Sequence, residues 1–167
     1  MEHTGHQVIW YINSMFLYSL YSEFLAIFRP LIPFAKERNL RLILLNQRNY
    51  PGSTPYFDED IQAMKSLDGG RQRALVRELG HLQAEAIVTL IKTLSIPPMK
   101  STPSGSLEGG LSFVAWSAGN IILFQFMSSL DTLAGQIRRM IESHLKSIVL
   151  YGAHQSAIEI CLVSLSM

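Results

Sequence analysis

Ser117 stands in the string Leu111-Ser-Phe-Val-Ala-Trp-Ser117-Ala118-Gly119-Asn120, between one apolar run and a second, Ile121 to Met127. A serine hydroxyl held in a sharp turn between a strand and a helix can attack a carbonyl carbon, the opening step of acyl transfer. Backbone crowds such a turn, so the residues two positions to either side must be small, and Ala115 and Gly119 are. The backbone N–H of Ala118 would then form half of an oxyanion hole, and a helix starting there adds its positive end. Taken alone the x-Ser-x-Gly string is short, and Ala115 replaces the more usual Gly, so an ordinary strand-to-helix turn is the plainer reading of it.

Little else in the chain competes for a chemical role. His3, His6, His81, His144 and His154 lie far apart, and no CxxC pair, His-Glu-x-x-His run or acidic loop occurs, so neither a metal nor a cofactor is expected. Cys161 is the single cysteine and has no partner for an internal disulfide, and there is no Asn-x-Ser/Thr acceptor. The chain therefore reads as intracellular, with a cytoplasmic location. Net charge is +1, and the tight basic pairs Arg71/Arg73 and Arg138/Arg139 fall within helical segments, so no nucleic-acid footprint is expected.

The elements that would hold Ser117 follow from periodicity. At 167 residues, 48% apolar and 16% charged, the chain is sized and composed for one buried core. Residues 40–46 (LRLILLN) are a short apolar run bounded by turn residues, which predicts a buried strand, and 28–38 (FRPLIPFAKER) predicts a short helix leading into it. Asp58 is the expected cap of a helix to about Leu67, stopped by Gly69-Gly70. From Arg71 to Leu94 a stripe of Leu75, Leu79, Leu82, Ala86, Leu90 and Leu94 predicts a long amphipathic helix, ended by Ile96-Pro97-Pro98 and followed by a polar loop from Met99 to Gly110. Leu111 to Trp116 reads as a strand, Ile121 to Met127 as a buried helix, Asp131 to Leu145 as a capped helix and Ser147 to Tyr151 as a third strand. This alternation predicts an α/β protein whose mainly parallel sheet is covered by helices on both faces.

Residues 40–55, LRLILLNQRNYPGSTP, closely resemble the strand-and-turn segment of fungal α/β-hydrolase-fold proteins, which carries an Arg-x-Tyr-Pro-Gly-Ser run. The spacing from that run through the amphipathic helix, Ile96-Pro97-Pro98, a Gly-Gly pair and Trp116-Ser117 follows the same layout, and the resemblance spans Phe28 to Tyr151. It implies a partial α/β-hydrolase domain over 28–151, flanked by a divergent apolar segment, 1–27, and a divergent tail, 152–167. It also implies a serine hydrolase acting on a small-molecule ester or related acyl substrate, with Ser117 as nucleophile.

The family's acid and histidine follow later strands, in the order Ser, acid, His. Only one convincing strand occurs in the 50 residues after Ser117, so an incomplete sheet and an incomplete triad are expected, as in a truncated domain. His154, just past that strand, is the residue that could serve as base, and otherwise it is a loop histidine. His81 and His144 are expected on helices away from the serine, with Asp131 a cap and Glu159 a solvated residue. Relatives carry a His-Gly pair after the first strand, whereas Trp10 to Ile27 contains no glycine. An inactive hydrolase-fold or interaction protein is therefore the alternative, and an open sheet edge invites self-association. The run Gln7 to Ser22 carries no charge; burial in the core is its first reading and membrane association through residues 7–28 its second, since Asn13, Ser14, Ser19 and Ser22 dilute it.

Overall fold

The computed structural model of the chain describes residues 7–12, 29–45, 48, 53–116 and 119–151. Its centre is a four-stranded parallel sheet of β1 (Gln7–Ile12), β2 (Arg41–Leu44), β5 (Leu111–Trp116) and β6 (Leu145–Tyr151), in the spatial order β2-β1-β5-β6. The start of the uncharged amino-terminal run is thus an inner strand between β2 and β5; residues 13–28 lie outside the described residues. A two-stranded antiparallel hairpin, β3 (Lys100–Ser101) with β4 (Leu107–Glu108), occupies the stretch expected to be a plain polar loop.

Between β1 and β2 lies α1 (Leu31–Glu37). Pro30 stands at its cap with φ −60°, and Pro33 falls in the first turn, where a missing N–H costs nothing. The helix closes on Asn39, whose φ of +52° is left-handed backbone that asparagine tolerates, and Leu40 N–H then donates to Ala35 O at 2.7 Å before β2 begins.

Two helices connect β2 to the hairpin. In α2 (Asp58–Lys65), Asp58 is the first helical residue rather than the cap, and Asp60 makes the capping contact, accepting from Phe57 N–H at 3.0 Å. The pair Gly69-Gly70 opens the next helix instead of closing α2: Asp68 caps α3 (Gly69–Thr93) by accepting from Gly70 N–H at 2.8 Å.

The buried face of α3 also differs from the expected stripe. It runs through Leu75, Leu79, Gly80, Ala84, Ile87, Val88 and Ile91, while Leu82 is 43% exposed, Ala86 is exposed, and Leu90 and Leu94 are half-buried. The cause is a change of partner along the helix. Leu75 and Leu79 pack with Ala63 of α2, whereas Ala84, Ile87, Val88 and Ile91 join the main core under the sheet.

After β5 come α4 (Gly119–Ser129), a 3-10 turn (Leu130–Thr132) and α5 (Gly135–His144). Asp131 is in that turn rather than at a helix cap; α5 starts four residues past it because buried Leu133 adopts an extended backbone that breaks the helical run. The core joins α3, Leu123 and Phe126 of α4, Ile141 of α5, Leu111, Phe113 and Ala115 of β5, and Leu145 and Ile148 of β6. Phe113 and Phe126 meet edge to face with centroids 5.6 Å apart.

Helices therefore cover one face of β5 and β6. On the other face of these two strands the register partners Ser112/Ser147 and Val114/Val149 are half-buried or exposed. No helix among them is long and apolar enough to cross a membrane.

Candidate active site at the carboxyl edge of the sheet

The strand order reverses direction at one place. From β1 the chain moves to β2 on one side; from β2 it crosses to β5 on the other side of β1 and continues to β6. The strands that succeed β1 and β5 thus lie on opposite sides of that pair, and in parallel sheets ligands bind at such a switch point. Ile12 and Trp116 are register partners, so both strands end at one level.

Ser117 and Ala118 follow Trp116 directly. Both lie outside the described residues, as does His154, and the structure describes the frame around the first two: β5 ends at 116 and α4 begins at 119. Only two residues join a strand to a helix. Ala115 is fully buried and Gly119 is buried, so bulk at either position would meet packed atoms. The 11 residues of α4 include no charged side chain, leaving the positive end of its dipole uncompensated within the helix itself.

α4 is held by a close crossing with α3. A Cβ on Gly80 would stand 2.5 Å from both Gln125 O and Ser129 Oγ, so the two backbones are nearly in contact. Ser129 is fully buried and its hydroxyl donates to Phe126 O at 2.7 Å. Sequence reasoning missed Gly80 because a glycine inside an apolar stripe signals nothing about what crosses it. A small apolar gap lined by Gln83, Ile87, Phe113, Ile122, Leu123 and Phe126 lies between these helices and β5.

Arg48 is a second residue the sequence did not single out, although it opens the Arg-x-Tyr-Pro-Gly-Ser run. It follows the carboxyl end of β2 by four residues. Its guanidinium donates to Pro55 O at 2.8 Å, pairs with Asp60 Oδ2 at 3.0 Å, and lies 5.0 Å and 5.2 Å from the ring centroids of Tyr56 and Phe57. With side chains 18% and 10% exposed, the Arg48–Asp60 pair ties the segment that follows β2 to the start of α2.

The remaining titratable candidates are elsewhere. His144 sits at the opposite edge, beside the Leu111/Leu145 pair, roughly 17 Å down β5 from Trp116 at about 3.3 Å per residue. It is buried, with Nε2 3.2 Å from Ile96 O and Nδ1 2.7 Å from Met140 O. His81 Nε2 donates to Thr132 Oγ1 at 2.8 Å, since the Thr132 hydroxyl is committed to Ser129 O. Asp131 is on the surface, 3.7 Å from Arg138, whose guanidinium is raised further above its ordinary pKa chiefly by its hydrogen bond to Glu142. Glu159 lies outside the described residues. Among the described residues no cluster of three His, Cys, Asp or Glu could hold a metal ion.

Comparison of the chain with protein-family models, with curated proteins and with solved structures found no match.

Proposed function

We propose that the chain is an α/β-hydrolase-like protein of the serine hydrolase class, with Ser117 as the nucleophile toward a small-molecule ester or related acyl bond. The observation that carries this reading is positional. Two residues, Ser117 and Ala118, separate the end of β5 from the start of α4, at the place in a parallel sheet where the strand order reverses and where such sheets bind ligands.

In this reading the Ser117 oxygen bonds to the substrate carbonyl carbon as its proton passes to a base. The negative charge that develops on the carbonyl oxygen accepts from Ala118 N–H and meets the positive end of α4. Collapse breaks the ester bond, the base returns its proton to the leaving alkoxide, and water repeats the sequence on the acyl-serine. His154 is the proposed base. Trp116 and Tyr151 are register partners on adjacent strands, about 4.8 Å apart across the ladder, and His154 follows Tyr151 by three residues.

A second reading, a hydrolase-fold protein that binds without catalysis, draws on the positions of His81 and His144. Neither reaches the carboxyl edge of β5, so among the described residues no imidazole serves the serine. A fluorophosphonate probe separates the two readings. Covalent labelling of the folded chain that disappears in Ser117→Ala, with ester turnover lost in the same variant, supports the hydrolase. Folded protein that takes no label overturns it.

A further inference from the structure

We propose that two copies of this chain associate through β6, pairing antiparallel about a two-fold axis at Val149 to form one continuous sheet.

β6 hydrogen-bonds to β5 on one side, and among the described residues no strand lies on the other. Proteins protect such an edge with proline, outward charge or a bulge. Here the irregularity falls at the beginning of the strand: Leu111 pairs with Leu145 and Ser112 with Ser147, leaving Lys146 as the extra residue. From Ser147 to Tyr151 the register is unbroken and the segment, Ser-Ile-Val-Leu-Tyr, contains neither charge nor proline.

The two polar side chains at the start of β6 are also turned back into their own molecule. Lys146 Nζ donates to Leu107 O at 2.6 Å, and the Ser147 hydroxyl donates to Ser112 Oγ at 2.7 Å. The usual lysine guard of an edge strand is thus tied to the β3–β4 hairpin. Apolar residues stand on both faces, with Ile148 buried toward the helices and Val149 38% exposed on the open side, a pattern that belongs to an inner strand.

A second copy fits this edge in a way that a charged partner does not. The unbroken stretch 147–151 is centred on Val149. A two-fold there sets Val149 against Val149 of the second copy, Ile148 against Leu150, and Ser147 against Tyr151. The two Lys146 residues fall at opposite ends, outside the paired stretch, so no like charges face each other.

The test uses the whole chain and sedimentation velocity across a micromolar concentration series, with circular dichroism on every sample. The wild type is expected to dimerise. Val149→Lys places two lysines directly opposite, and Val149→Glu two carboxylates, so each alone should dimerise at least about tenfold more weakly. An equimolar mixture of the two variants should regain the dimer, because the facing pair becomes Lys against Glu. Recovery on mixing cannot come from variants that merely unfold. A wild type that stays monomeric throughout the series, variants that dimerise as well as wild type, or a mixture no better than its parts would each overturn the proposal.

Discussion

Gly80→Ala tests the packing that aims α4 at the candidate site. The added carbon would stand 2.5 Å from Gln125 O, 2.5 Å from Ser129 Oγ and 2.7 Å from Ser129 Cβ. Gln125 O belongs to the backbone of α4 and cannot rotate away, so relief requires α3 and α4 to move apart and loosen Ile87 and Val88 against Phe126. Overpacking of this kind costs about 1–3 kcal/mol, and a clash with backbone belongs at the upper end. Alanine in a helix interior returns about 0.8–1 kcal/mol relative to glycine. The net expectation is a loss of roughly 2 kcal/mol, or about 4–8 °C in Tm for a chain of this size. Urea and thermal unfolding followed by circular dichroism measure it. Gly69→Ala is the control, because its new carbon meets only the mobile end of Arg73 at 3.3 Å in the first turn of the same helix, so it should be neutral or slightly stabilising. A Gly80→Ala protein as stable as wild type would refute the close crossing and, with it, the account of how α4 is held.

Arg48→Ala leaves Asp60, 8% exposed, without its cation, and should cost about 1–3 kcal/mol in denaturant unfolding; Arg48→Lys should recover only part, since a single ammonium cannot hold Pro55 O and Asp60 while lying between two rings. An Arg48→Ala protein of unchanged stability would remove the anchor from the argument. Gly110→Ala should cost about 2–4 kcal/mol, combining left-handed backbone at φ +73° with a carbon 2.6 Å from His144 O, whereas Gly105→Ala, at φ +81° in open space, should show only the backbone part of about 1 kcal/mol. Equal losses at the two glycines in a melting comparison would mean that the contact with His144 is not as described.

Legibility in the sequence depended on whether a signal was local. β5 and α4 could be read because two apolar runs flank a cluster of small residues, and β2 because turn residues bound it. The strand β1 was hidden: Gln7 to Ser22 carries no charge and no glycine or proline to mark where a strand ends. Leu82 and Ala86 continue the spacing of Leu75 and Leu79 and so read as buried; the helix changes partners near Gly80, and the buried line moves to Ala84, Ile87 and Ile91. Asp58 and Asp131 have the right type for caps, yet Asp60 and an extended Leu133 set those boundaries. Gly69-Gly70 reads as a stop until Asp68 is seen to cap the helix that follows it.

The motif residues Ile96-Pro97-Pro98 and Gly109-Gly110 turn out to share one location. Gly110 N–H donates to Pro97 O at 2.9 Å, Met99 N–H donates to Ser143 O at 2.9 Å, His144 Nε2 faces Ile96 O, and a Cβ on Gly109 would strike Pro98 O at 2.5 Å. This knot binds the starts of β5 and β6 at the end of the sheet remote from Ser117. Its consequence is a separation of duties along each strand. Selection on folding would act at the amino ends, where main-chain atoms leave no room for substitution. The opposite rim could then drift, gaining or losing a base, an acid or a whole activity, while the scaffold beneath it stayed folded.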